Sequence, residues 1–137
     1  MPPRDEVRAW LLKGQSDLSS ARILASHDPP IFDTAAFHCQ QAAEKALKAY
    51  LTFRGVRFER VHNLTYLLKL CEEQEPDFAD LRPEAALLAP FAVEIRYPGD
   101  LTELTGDEAQ AALAGAEAIW NRVLLALPQE LRPSTFE

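Results

Sequence analysis

The chain has 137 residues, 47% hydrophobic and 26% charged, which suits one globular domain and excludes a disordered chain. Its net charge of −7 disfavours a protein that binds nucleic acid by bulk charge. Two cysteines, Cys39 and Cys71, supply neither a disulfide framework nor zinc spacing, and no apolar run reaches the roughly 18 residues of a membrane span.

Residues 4–26 read as a first helix. Val7, Trp10, Leu11, Gly14, Leu18, Ala21 and Ala25 recur at three- and four-residue steps. Gly14 inside it costs about 1 kcal/mol relative to alanine, and close packing against an alanine-rich neighbour would offset that cost. Asp28 before Pro29 ends the helix.

A second helix is expected over 33–54, capped by Asp33 and closed by Gly55. Its apolar positions are mostly alanine. Phe37, Gln41, Glu44 and Lys48 share one face. Glu44 stands four residues before Lys48, the favourable order for an intrahelical ion pair. The commoner use of such a pair is a solvated surface, and a charged site is the alternative.

Charge is uneven along the chain. Residues 1–62 are net +2 and residues 63–137 net −9. Within the first part Lys45, Lys48, Arg54, Arg57 and Arg60, followed by His62, form a candidate basic cluster.

Asn63 caps a third helix over 63–75 carrying Leu64, Leu67, Leu68 and Cys71. Glu72, Glu73 and Glu75 crowd its C-terminal end against the helix dipole, which predicts a frayed, solvated terminus. Pro83 opens a fourth helix over 83–95, which Pro90 should kink or interrupt. Arg96-Tyr97-Pro98-Gly99-Asp100 stops it. Thr105-Gly106-Asp107-Glu108 has capping-box spacing before a fifth helix over 105–127, closed by Pro128. Residues 128–137 read as a loose tail. No strand pattern, repeat or low-complexity segment interrupts this series. The class is all-α: an antiparallel, mainly up-and-down bundle of about five helices, a single domain over 1–137 with its core near 4–127.

Gln40-Gln41-Ala42-Ala43-Glu44-Lys45-Ala46-Leu47-Lys48-Ala49-Tyr50-Leu51 resembles the signature helix of the HEPN domain family (higher eukaryotes and prokaryotes nucleotide-binding). His62-Asn63-Leu64 with Leu67-Leu68 resembles that family's next element, and Arg96-Tyr97-Pro98-Gly99-Asp100 its Arg-Tyr-Pro-x-Asp motif. The blocks occur in family order, and the resemblance spans roughly residues 4–127. It implies the same helical fold and a homodimer. Many such proteins are ribonucleases, with an arginine and a histidine separated by four to six residues near the start of the last core helix. Arg96 stands at that place, but the histidines are His27, His38 and His62, so none follows it.

The resemblance therefore implies the non-nuclease type that pairs with a separate small nucleotidyltransferase chain in a toxin–antitoxin-like arrangement. The candidate nucleotide-binding residues are Glu44, Lys48, Arg96, Tyr97 and Asp100, gathered where the end of the fourth helix meets the second. Lysine and arginine donors suit phosphate, and Tyr97 suits base stacking. A salt bridge from Arg96 to Asp100 or Glu44 is the structural alternative. His62 either caps the third helix beside Asn63 or contacts a ligand.

The enzyme alternative is a metal-independent endoribonuclease acting on RNA through Arg57 and His62, which have four residues between them. Arg22 and His27 make a second literal match. No phosphate-binding glycine loop, serine-hydrolase elbow or zinc-protease motif is present. No metal and no resident cofactor is expected, only a nucleotide as ligand. Free thiols, the lack of a signal-peptide pattern and the lack of a membrane span predict a cytoplasmic protein.

Overall fold

The computed structural model describes residues 3–93 and 104–134. Its organising element is helix α2 (Phe32–Phe53), of whose 22 residues 14 are buried. That is too many for one amphipathic stripe, so neighbours cover α2 on several sides. Six of the 14 are alanines, Ala35, Ala36, Ala42, Ala43, Ala46 and Ala49, short enough for those neighbours to approach closely.

Helix α1 (Arg4–Ser26) lies along α2 after the short 27–31 connection, and α5 (Gly106–Ala126) packs on α2 from another side. Helix α3 (Leu64–Gln74) and the short α4 (Arg82–Leu88) complete an all-α bundle, with 3-10 turns over Pro76–Leu81, Ala89–Ala92 and Gln129–Leu131. No strand occurs among the described residues.

Local capping chemistry follows the sequence closely. The Asn63 side chain accepts from the Tyr66 N–H at 3.0 Å. Thr105 and Glu108 form the reciprocal capping box. Gly55 has φ +71°, the left-handed region. There Gly55 N–H donates to the Thr52 carbonyl at 3.1 Å and Val56 N–H to Leu51 at 2.9 Å. Those two bonds are a Schellman closure, and they reverse the chain at the end of α2.

Four expectations need correction. Asp33 is not the cap of α2: the helix starts one residue earlier, Ile31 occupies the cap position, and Asp33 lies in the first turn, where its charge still suits the dipole. The fourth helix ends at Leu88 rather than 95. Pro90 lies in the following 3-10 turn, where its missing N–H and ring are tolerated.

The end of α3 is not frayed. Glu75 accepts a short hydrogen bond from the Tyr50 hydroxyl and pairs with Arg122 at 3.4 Å and Arg54 at 3.6 Å. Glu72 takes a two-pronged contact from Arg82 at 3.1 and 2.5 Å. The tail is not loose over its described part, because Leu131 is buried in the core.

Gly14 does sit at a close approach. A Cβ there would stand 2.6 Å from the Trp120 ring of α5 and 3.4 Å from the Lys45 Cβ of α2. The tighter neighbour is thus an aromatic ring, and the alanine-rich helix is second.

Candidate functional site

The Glu44 and Lys48 side chains are not on a solvated face. Glu44 is 2% and Lys48 6% exposed, which corrects the commoner reading of such a pair. Lys48 Nζ donates to Glu44 Oε2 at 2.9 Å, and Gln40 Nε2, itself fully buried, donates to Oε1 at 3.3 Å. His62 Nδ1 lies 2.9 Å from Oε1 and 3.1 Å from Oε2. A carboxylate only accepts, so Nδ1 carries the proton and Nε2 is left for another partner. Three donors therefore satisfy the buried carboxylate, and the charge of Glu44 is matched by Lys48.

The loop from Val56 to His62 is brought here by its two ends. The Schellman closure at Gly55 turns it back, and Gln40 Nε2 holds the His62 carbonyl at 3.2 Å. Asn63 then starts α3. Helix capping thus falls to Asn63, and the His62 ring is free to pair with Glu44.

Between this loop, α1 and α2 lies an open groove of about 1080 Å³, whose lining includes Glu6, Trp10, Lys48, Arg57, Arg60 and His62. Trp10 forms part of the α1 wall. Lys48 Nζ stands 5.3 Å from its ring centroid, a cation–π contact. Phe58 lies 6.5 Å away, tilted at 58°. The Trp10 indole N–H is buried and has no acceptor among the described residues. Arg57 and Arg60 line the groove and make no ion pair among the described residues. A smaller hollow of about 210 Å³ adjoins on α1, sharing Glu6 and Trp10 and reaching Lys13.

The groove thus joins residues that sequence reasoning had divided between two hypotheses. Glu44 and Lys48 of the nucleotide set meet Arg57 and His62 of the ribonuclease alternative in one place. Arg96, Tyr97 and Asp100 lie outside the described residues. The basic cluster splits: Lys48, Arg57 and Arg60 line the groove, Lys45 pairs with Asp17, and Arg54 donates to the Tyr50 hydroxyl at 2.8 Å. Glu6 and Trp10 were missed. Trp10 falls on the apolar stripe of α1, and nothing local distinguishes it from a core residue.

Other clusters are structural in character. Asp17 joins α1 to α2 through Lys45 and through His38 Nδ1 at 2.8 Å. Between α3 and α4 lies a groove of about 450 Å³ with a mainly apolar surface, whose walls include Leu68, Ala85 and Ala86 beside Lys69, Glu72 and Arg82. No group of His, Cys, Asp or Glu suited to a metal occurs among the described residues. No helix among them is long and apolar enough to cross a membrane.

A family model described as HEPN domain matches residues 7–127. A protein named "Putative toxin MJ1304", from Methanocaldococcus jannaschii, is 27% identical over 129 residues, with 82% of each chain covered. A solved structure described as "Crystal Structure of ST0689, an archaeal HEPN homologue" aligns with a TM-score of 0.70 at 30% identity, covering 88% of this chain and 96% of that one.

Proposed function

The chain belongs to the HEPN domain family, and from that premise we propose that it is a non-catalytic module binding a nucleotide through its phosphate and acting as partner of a separate small nucleotidyltransferase chain, in a toxin–antitoxin-like pair. One observation carries the binding part. Arg57 and Arg60 have no ion-pair partner among the described residues and line a groove whose buried carboxylate, Glu44, is already paired with Lys48. With Glu6 set against Arg57 and Arg60, the spare charge of the groove is cationic on balance, which suits phosphate. The toxin-type pairing draws on the name of the M. jannaschii relative. The nucleotidyltransferase partner and a two-fold homodimer draw on the sequence resemblance. So do Arg96, Tyr97 and Asp100 as further ligand contacts.

Within this reading Glu44 holds Lys48 and His62 in place, because it is too buried to meet a ligand itself. Arg57→Ala and Arg60→Ala should each weaken nucleoside triphosphate binding about ten- to a hundredfold, the worth of a charge-assisted contact, with melting temperatures unchanged. Calorimetric titration beside thermal melts checks this. Absence of binding by the wild type, alone and with the partner chain, would remove the reading.

A second reading has one observation in its favour. Arg57 and His62 line the same groove, and Glu44 fixes the His62 ring so that Nε2 is left for proton transfer. Metal-independent RNA cleavage that His62→Ala abolishes would establish the endoribonuclease and overturn the non-catalytic reading.

A further inference from the structure

We infer that the groove selects ribonucleotides and that Glu6 is the residue that reads the sugar hydroxyls; this rests on the phosphate-binding reading above. Glu6 is the acid of α1 that lines the groove, facing the same space as Arg57 and Arg60. It makes no ion pair with them or with any other described residue. A free carboxylate in a groove built for an anion lowers phosphate affinity by repulsion. Its presence therefore calls for a role that a cation cannot fill. A carboxylate accepts hydrogen bonds and donates none, and a vicinal diol offers two donors to it. Ribose recognition by an acidic side chain works on this chemistry.

The layout of the groove gives the order of the ligand's parts. Arg57, Arg60 and His62 come from the 56–62 loop, and Glu6 and Trp10 from α1. Glu6 and Trp10 also line the adjoining hollow, so they stand where the two spaces meet. A phosphate on the loop wall places the sugar against Glu6 and a planar base against Trp10 and Phe58. The competing account is that Glu6, with Asp5, merely complements the positive end of α1. That account predicts no effect on sugar preference.

The test uses the full chain and calorimetric titration with AMP and UMP, with the analogues of each that lack both ribose hydroxyls, and with inorganic phosphate. The wild type should prefer the ribonucleotides by about tenfold or more. Glu6→Ala should bring that preference close to unity while binding inorganic phosphate at least as well as the wild type. Glu6→Asp should restore part of the preference. Glu6 is exposed, and thermal melts verify that the variants fold. Equal binding of the paired nucleotides by the wild type, with inorganic phosphate still bound, would overturn this inference alone. Failure of every probe to bind would overturn the phosphate-binding reading and this inference together.

Discussion

Removing the Lys48 ammonium would leave the Glu44 carboxylate buried beside an amide and one imidazole. Lys48→Ala should therefore lower stability by about 3–5 kcal/mol, the usual cost of breaking one side of a buried ion pair. The double variant Glu44→Gln with Lys48→Met should recover most of that loss, since no charge is then stranded. Urea unfolding of the three proteins decides it. Glu75 behaves differently with pH. The hydrogen bond from Tyr50, then Arg122 and Arg54, hold its carboxyl below the usual carboxylate range. A depressed folded-state pKa adds stability above the unfolded value of about 4.3, and that stability is lost as pH falls through the folded pKa. The acid limb of a melting-temperature profile should be shallower in Glu75→Gln. At this scale the sequence was legible where a residue acts on its own neighbours, as Asn63, Thr105 and Gly55 do, with Asp33 the exception. It was not legible for Glu44, Glu72 and Glu75, whose decisive partners, His62, Arg82, Tyr50 and Arg122, come from other elements.

Helix α1 is held against α2 and α5 at a point where only glycine fits. Alanine at position 14 gains about 1 kcal/mol in helix propensity, but its Cβ would press on the Trp120 ring at 2.6 Å. Overpacking of a filled core costs about 1–3 kcal/mol, so Gly14→Ala should be net destabilising. Trp120→Phe should reduce that penalty in the double variant, as measured by denaturant midpoints. The helical elements were readable from apolar spacing along α1, α2, α3 and α5, and N-cap chemistry agrees with it at α3 and α5. Helix α4 was overextended. The apolar run from Ala85 to Val93 looks continuous, yet Pro90 converts its second half to a 3-10 turn. The turn over Pro76–Leu81 was unforeseen: it buries Phe78 by tertiary contact with the Tyr50 ring, 4.7 Å between centroids, and carries no periodic signal.

The whole molecule sets a field that opposes its own groove. The net charge of −7 repels an anion at long range, while Arg57 and Arg60 attract it at short range. Screening reaches about 30 Å at 0.01 M salt and about 10 Å at 0.1 M, so added salt removes the distant repulsion first. The association rate of a nucleotide should therefore hold steady or rise over that range, as stopped-flow mixing can measure. A marked fall would mean that the groove cations govern the approach. Composition foretold the acidic surface and its disfavour toward bulk nucleic-acid binding. It did not foretell that Arg57 and Arg60 would be turned toward α1 and Lys48, since the Gly55 reversal and the Gln40 clamp do that in three dimensions.

Helix α2 is at once the spine of the bundle and the bearer of Glu44 and Lys48. A genetic screen for inactive alleles would for that reason return α2 first, and most such alleles would report misfolding rather than lost chemistry. Alleles that separate function from folding belong on the 56–62 loop, where Arg57 and Arg60 can be altered without opening the core. An inactive protein that still accumulates in cells should carry its lesion there.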